Sequence, residues 1–313
     1  MPCYHPVKGY KAKNASSRTG KYRIVYKRDP AVANIFAPIS HNCGGCIHCR
    51  LSYAMDWSIR IHHESQSYKH NWFLTLTYNS ESLEKLPNPK SLHHKDFQDF
   101  MKRLRKAFPD NKLKFFMCGE YGTKKGRPHF HAIVFNLPLS DLQFHKKSGD
   151  FDIFTSQLIN NVWKRGFVYI GTVTQESAGY VARYVTKKKT GKLAKKHYER
   201  VDPETGEIYS ITPEYAKMST REAIGKNWIK KYLSSVYPND HIIDSNFKRR
   251  RVPRYYDKFL EKVNPQLFEQ IKKKRVEEAK LCQDNQDPYR LDVMERKKYL
   301  DIRKLLRKLD DEL

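Results

Sequence analysis

Residues 128 to 135, "PHFHAIVF", are apolar on both sides of an extended chain, and few folds can hold such a segment. Alternate residues of a strand share a face, so His129, His131, Ile133 and Phe135 point one way and Phe130, Ala132 and Val134 the other. That pattern describes a central strand buried on both faces, with a histidine pair at its entry end. Upstream, "LKFFMCGEY" reads as a second strand and "GTKKGR" as the turn between them. If this hairpin pairs Glu120 with His129, the same register pairs Cys118 with His131, and the Glu120 carboxylate lands beside both imidazoles. Two neutral imidazoles and one carboxylate leave coordination positions open, which suits a catalytic divalent cation. The pattern alone leaves other readings open: histidines satisfied by backbone, zinc in a hydrolase, or iron in an oxygenase.

The neighbouring segments supply the rest of a sheet. "RLSYAMDWSIRIHHES" has apolar residues at helical spacing, and "NWFLTLTY" is a strand with Phe73, Thr75 and Thr77 on one side. Phe97, Phe100, Met101, Leu104 and Phe108 form the apolar stripe of a second helix. After the hairpin, "TSQLINNVWKRG" reads as a helix stopped by Gly166, and "FVYIGTVT" as a fourth strand. Residues 72 to 174 thus run strand, helix, strand, strand, helix, strand. The expectation is an α+β domain with a ferredoxin-like (RRM-like) antiparallel sheet, helices on one face and the other face free for a site. Residues 1 to 50 read as an irregular basic lead-in. Beyond residue 252 the chain reads as a charged helical C-terminal extension.

The helix opening at "QESAGYVARYV" carries an apolar stripe of Ala178, Val181, Ala182 and Val185, with Tyr180 and Tyr184 roughly 130° from its centre. A core aromatic pair would share the face of the alanines and valines. These two tyrosines instead lie one turn apart on the opposite side, flanked by Arg183 and Lys187, with Lys188 less well aligned. A tyrosine is a weak nucleophile until cations favour its phenolate and a metal polarises the phosphoryl group it attacks. Together the parts describe tyrosine attack on a phosphodiester.

Charge names the partner class. The 313 residues hold 60 Lys and Arg against 34 acids, a net +26, so a polyanion, nucleic acid first, is the inference. Residues 281 to 313 carry eight acids and eight bases, so the whole excess lies before them. From 183 to 200 there are eight Lys or Arg and one acid, placed to hold a strand. No segment is apolar and long enough for a membrane span, and the N-terminus lacks the apolar segment of a signal peptide, so the expectation is a soluble protein not exported by that route. Cys43, Cys46 and Cys49 have C-x-x-C-x-x-C spacing, and Cys3 closes a fourth position if the N-terminus folds back. Structural zinc, reduced thiols and an iron–sulfur cluster all fit, with His5, His41 and His48 as alternative ligands.

The quoted "RPHFHAIVF", "FFMCGEYG", "FLTLTY" and "YVARYV" resemble the motifs of HUH endonucleases, in the arrangement of rolling-circle replication initiators. "CGGCIHCRLSYAMDWSIRIHHE", "MSTREAIGKNW" and "VPRYYDKFL" further resemble the replication initiation proteins of microviruses, of the gokushovirus type, over roughly residues 40 to 260. The resemblance implies the HUH fold, with His129, His131 and Glu120 as ligands of Mg²⁺ or Mn²⁺, Tyr180 and Tyr184 as nucleophiles, and Arg183, Lys187 and Lys188 on DNA. It implies a nickase that cuts a single-stranded phage origin through a 5′-phosphotyrosine intermediate and rejoins strands, with host polymerase and helicase, in the cytoplasm of an infected bacterium. Relatives often have lysine where this chain has Arg183. No G-x-x-x-x-G-K loop is present, so a fused helicase is not expected. The implied organisation is a basic segment with the cysteines and a helix (1–70), a catalytic core (71–190), a basic extension (191–260) and a charged helical region (261–313). Two rivals stand beside it: a non-catalytic protein that binds or packages single-stranded DNA, and a metal hydrolase with water as nucleophile.

Overall fold

The computed structural model describes the chain except residues 1–2, 18–19, 21, 31–32, 123–125, 150, 185–187, 189–193, 203–204, 282–286 and 311–313, and the side chains of 175–176, 180, 183–184 and 303–310. In chain order the first elements are β1 (Val7–Ala15), β2 (Tyr22–Val25), β3 (Ala33–His41), α1 (Ile47–Ser65), β4 (Asn71–Tyr78), α2 (Ser80–Glu84) and α3 (His94–Ala107). There follow β5 (Lys114–Tyr121), β6 (Pro128–Phe135), β7 (Gln143–Ser148), β8 (Phe151–Thr155), α4 (Gln157–Trp163), β9 (Gly166–Thr172) and α5 (Gln175–Tyr184). Then come α6 (Ala194–Tyr198), β10 (Glu199–Val201), β11 (Ile208–Ser210), β12 (Tyr215–Met218) and α7 (Lys226–Val236). The last are β13 (Ile242–Ile243), β14 (Arg249–Arg250), α8 (Arg254–Val263), α9 (Pro265–Lys280) and α10 (Pro288–Asp310).

Two compact units result, residues 1–52 with 275–311 and residues 53–274. The larger unit is built on a seven-stranded sheet of order β12-β5-β6-β4-β9-β8-β7, in which each described pairing is antiparallel. The expected strands β4, β5, β6 and β9 are its centre, and β6 is flanked by β5 and β4 as its two-sided apolarity requires. One face carries Leu74, Leu76, Phe130, Ala132, Val134, Val168 and Ile170 against Phe97, Phe100, Met101 and Leu104 of α3 and Ile159 and Trp163 of α4.

Helices cover the other face too, which corrects the expectation of helices on one face only. Phe116, Cys118, Ile133 and Phe135 pack there against Ala54, Trp57 and Ile61 of α1 and Ala178, Val181 and Ala182 of α5. The reason is in the strands: Phe116, Ile133 and Phe135 are fully buried, and an apolar row of that length needs cover. Two other expectations change. The chain between β6 and α4, unassigned from sequence, adds the β7–β8 hairpin to the sheet edge. The helix before β9 ends not at Gly166 but at Lys164, a C-cap in the left-handed region at φ 62°. Gly166, at φ 152°, opens β9 where a Cβ would sit 2.4 Å from the Thr77 carbonyl oxygen.

A buried ion pair ties three elements of this unit together. Lys114 of β5 donates to Glu64 of α1 at 2.6 Å, and the second Glu64 oxygen accepts from the Gly225 backbone N–H, at 2.7 Å, at the start of α7. Burial alone would lower the Lys114 pKa, but the bond to Glu64 outweighs it and holds the ammonium charged.

The smaller unit overturns the irregular reading of residues 1 to 50. Its first 41 residues hold an antiparallel three-stranded sheet of order β2-β1-β3. Its small core joins Cys3, Tyr4, Cys46 and Cys49 to Leu291 of α10.

Lys114→Met is expected to lower unfolding free energy by about 3–5 kcal/mol, because it leaves the Glu64 carboxylate buried beside an apolar chain. Urea denaturation of wild type and variant measures it; a loss below about 1 kcal/mol would show that the pair does not clamp α1 to β5.

Candidate functional site

The β5–β6 register sets the first cluster. Glu120 lies opposite His129 and Cys118 opposite His131, so the carboxylate and both imidazoles project from one face at the end of the sheet. Glu120 Oε1 is 2.8 Å from His129 Nε2 and 3.1 Å from His131 Nε2, and the two Nε2 atoms are 3.2 Å apart. Glu120 and His131 are buried and His129 is partly so.

The far ring nitrogen of His129 fixes what its near one can be. His129 Nδ1 lies 3.1 Å from the Arg127 carbonyl oxygen, which can only accept, so Nδ1 carries the proton. In the neutral ring Nε2 is then a lone pair aimed at a carboxylate oxygen and at a second imidazole nitrogen. His129 Nε2 and the Glu120 carboxylate are then two acceptors that repel unless positive charge sits between them, a proton or a metal ion, while the Thr75 hydroxyl beside His131 Nδ1 can donate or accept and so allows either His131 tautomer. Burial pushes the Glu120 carboxyl upward, but its bonds to His129 and His131 outweigh that and hold it well below the usual carboxylate range. The site therefore keeps a carboxylate ready for a cation, and two nitrogens and one oxygen leave further coordination positions open. The residues fit a divalent ion.

Sequence reasoning missed the orienting partners. Thr75 of β4 pairs with His131, and its Oγ1 lies 3.1 Å from His131 Nδ1. Phe73 stacks on the same imidazole with ring centroids 5.5 Å apart. Their alternation in "FLTLTY" was visible, but not the register that sets Thr75 opposite His131.

Helix α5 lies on the face that bears this triad, because its Ala178, Val181 and Ala182 are buried against Phe116, Cys118, Ile133 and Phe135 of β5 and β6. The backbones of Tyr180 and Tyr184 belong to α5, four residues apart. Their side chains and that of Arg183 lie outside the described residues, as do Lys187 and Val185. Lys188 is exposed.

In the smaller unit, the sulfurs of Cys3, Cys43, Cys46 and Cys49 converge within 4.8 Å of one another. Cys3 Sγ and Cys46 Sγ are 3.8 Å apart. Backbone N–H groups point at the sulfurs: Cys43 donates to Cys3 at 3.3 Å, and Gly45 and Cys46 donate to Cys43 at 3.4 and 3.2 Å. Gly44, at φ 72°, makes the tight turn that aims them. For Cys46, burial raises the thiol, yet the backbone N–H bonds and neighbouring thiols prevail and draw it down to about 7. The histidines considered as substitutes are engaged elsewhere: His5 with Glu295, His41 with Tyr26, and His48 edge-on to Tyr4.

Comparison with known proteins follows the same segments. The family model of the replication-associated protein ORF2/G2P matches residues 71–189. The chain is 33% identical over 305 residues to replication-associated protein VP4 of Bdellovibrio phage phiMH2K, covering 92% of this chain and 88% of that one. It is 36% identical over 251 residues to replication-associated protein ORF2 of Spiroplasma virus 4, with 76% and 73% covered. To replication-associated protein ORF4 of Chlamydia phage 1 it is 30% identical over 229 residues, with 71% and 53% covered. No solved structure matches.

Mn²⁺ titration followed by electron paramagnetic resonance is expected to show a bound ion that His131→Ala abolishes. Thr75→Val, which removes only the bond to His131 Nδ1, is expected to weaken it about 10–100-fold. Unchanged affinity in His131→Ala would place the ion elsewhere.

Proposed function

The chain belongs to the replication-associated proteins of microvirus-type phages, and from that premise we propose that it is a metal-dependent HUH endonuclease and strand transferase that starts rolling-circle replication on single-stranded DNA. The observation that carries the reading is the convergence of Glu120, His129 and His131 on one point of the sheet face that also holds α5. The central strand order β5-β6-β4-β9, with helical crossovers between β4 and β5 and between β6 and β9, supports a ferredoxin-like HUH core in residues 71–190.

In this reading Glu120, His129 and His131 hold Mg²⁺ or Mn²⁺, which when bound polarises the scissile phosphoryl group. Thr75 and the Arg127 carbonyl orient the two imidazoles. One of Tyr180 and Tyr184 attacks the phosphorus through its phenolic oxygen. A tyrosine–phosphate bond forms, the bond to the 3′ oxygen breaks, and the tyrosine proton is passed on to give a free 3′ hydroxyl. One ester replaces another, so the phosphoryl bond is conserved and a later 3′ hydroxyl can attack the phosphotyrosine to rejoin the strand without a nucleotide cofactor. Four-residue spacing on one helix places the second tyrosine a turn away for that exchange. Arg183, Lys187 and Lys188 hold flanking phosphates, Arg183 with a bidentate fork where a lysine would give a point contact. The free 3′ end serves a host polymerase, with a host helicase opening the duplex. The site of action is the cytoplasm of the host; among the described residues no helix is long and apolar enough to cross a membrane.

The four cysteines fit a structural zinc ion. A tetrahedral site with Zn–S bonds of about 2.3 Å has sulfurs roughly 3.8 Å apart, and Cys3 and Cys46 are 3.8 Å apart. A multi-iron cluster needs its thiolates spread around several metal atoms, and these four are too close together for that.

Incubation with single-stranded origin DNA and Mn²⁺ is expected to give a covalent protein–DNA adduct on a denaturing gel, lost only when Tyr180→Phe and Tyr184→Phe are combined. Metal-dependent cutting without an adduct would assign the reaction to water, and tight binding without cutting would make the protein a DNA-binding or packaging factor. Metal analysis of purified protein is expected to find one zinc per chain, absent in Cys46→Ser; no zinc in wild type would leave four thiols.

A further inference from the structure

The three-stranded sheet of the smaller unit has too much exposed aromatic surface and too little acid to be only a scaffold. Residues 1 to 41 contain eight Lys or Arg and a single acid, Asp29. Among the described residues of the same stretch Tyr22, Tyr26 and Phe36 are 48%, 62% and 89% exposed, and Ile24 and Ile39 are exposed beside them. Side chains of this size do not ordinarily stand in water next to a run of cations unless something lies on them.

Their arrangement is a face. Gly9 pairs with Ile39 of β3, and Lys11 with Ile24 of β2. Alternation then puts Gly9, Lys11, Ile24 and Ile39 on one side of the sheet, with Tyr22 in step with Ile24 and the Tyr26 ring beside Gly9, while Phe36, across a break in the β1–β3 register, meets them at the cleft it lines with Lys11 and Tyr22. Gly9 is required there, because a Cβ would stand 2.5 Å from Ile24 Cγ2. The Lys11 ammonium sits 4.5 Å from the centre of the Tyr22 ring. The Tyr26 hydroxyl is held by His41 Nε2 at 3.0 Å, which fixes that ring's tilt. An open cleft of about 440 Å³ lies among Lys11, Lys13, Tyr22, Asn34 and Phe36, with Ala12, Pro30, Ala33 and Ile35 also lining it.

We propose that this face is a second nucleic-acid site, a stacking platform that takes unpaired bases of single-stranded DNA on Tyr22, Tyr26 and Phe36 while Lys11 and Lys13 hold the backbone phosphates. Aromatic rings accept any base, so the surface gives affinity without sequence choice. Duplex DNA keeps its bases stacked inside and offers these rings nothing. A second copy of the chain is a poor occupant, since two such faces carry the same sign of charge. The face lies outside the segment matched by the family model and needs neither the triad nor the tyrosines of α5. The proposal therefore stands whether or not the chain nicks DNA.

The test uses the full chain and a fluorescein-labelled oligothymidylate with no origin sequence, titrated by fluorescence anisotropy without added divalent cation. Combined Tyr22→Ala, Tyr26→Ala and Phe36→Ala is expected to weaken binding roughly tenfold or more. Lys11→Ala with Lys13→Ala is expected to reduce the slope of log affinity against log salt by about 1.4, two phosphate contacts on a single strand. Those lysines are exposed, so their replacement tests the face even if the aromatic variant loses its fold by circular dichroism. Affinity and salt slope that match wild type in the lysine variant would overturn the proposal, as would a folded aromatic variant with undiminished affinity. Adduct formation at saturating origin DNA is expected to proceed at the wild-type rate in both variants, whereas absence of an adduct from the wild-type chain, with its oligothymidylate binding lost in the variants as expected, would count against the nuclease reading alone.

Discussion

The register of β5 against β6 is the constraint on which the rest depends. Seven residue pairs on from Lys114 opposite Phe135 comes Tyr121 opposite Pro128, and between them the ladder places Glu120 across from His129. A slip of one residue would carry Glu120 to the α3 face and push Phe116 and Cys118 out of the packing beneath α1 and α5. The apolar rows on both faces of β6 resist that slip, so hydrophobic burial is what holds three polar ligands in place. Core packing and site geometry are one problem here.

The triad in turn shows why a protein accepts such an arrangement. Converging a buried carboxylate and the His129 lone pair costs free energy in the absence of a cation, and the surrounding sheet is rigid enough to maintain it. Hydrogen bonds at the far ring nitrogens, to the Arg127 carbonyl for His129 and with the Thr75 hydroxyl for His131, hold both imidazoles in this orientation. The same face is closed by α5 a little further along the strands, which brings the backbone of both tyrosines to the sheet surface that bears the ligands.

The smaller unit follows a different economy. Its buried apolar set is short, with Cys3, Tyr4, Cys46, Cys49 and Leu291 at its heart. So few side chains bury little surface, and a core that small is commonly reinforced by a metal or disulfides. Four sulfurs with directed N–H donors supply the place for one. The sheet that precedes them can then leave its aromatic face in solvent, because that face is not what holds the unit together.

Local pattern determined a good deal of this protein. Strand alternation identified β4, β5, β6 and β9, and the i, i+3, i+4 stripes identified α1, α3, α4 and the buried side of α5. The hairpin was legible, and on the supposition that it pairs Glu120 with His129 the carboxylate fell beside both imidazoles; the structure has that register. What tertiary structure decided was whatever depends on residues distant in sequence. Thr75 meets His131 only because β4 pairs with β6, and Cys3 reaches Cys46 only because the N-terminal segment returns to the start of α1. The sheet in residues 1 to 41 escaped notice because its strands are mostly exposed and so lack a buried row to betray a period of two. Cover on the second face of the large sheet escaped for the opposite reason: the strands announce that both sides are buried, but which helices bury them is set by chain crossings that no local periodicity records.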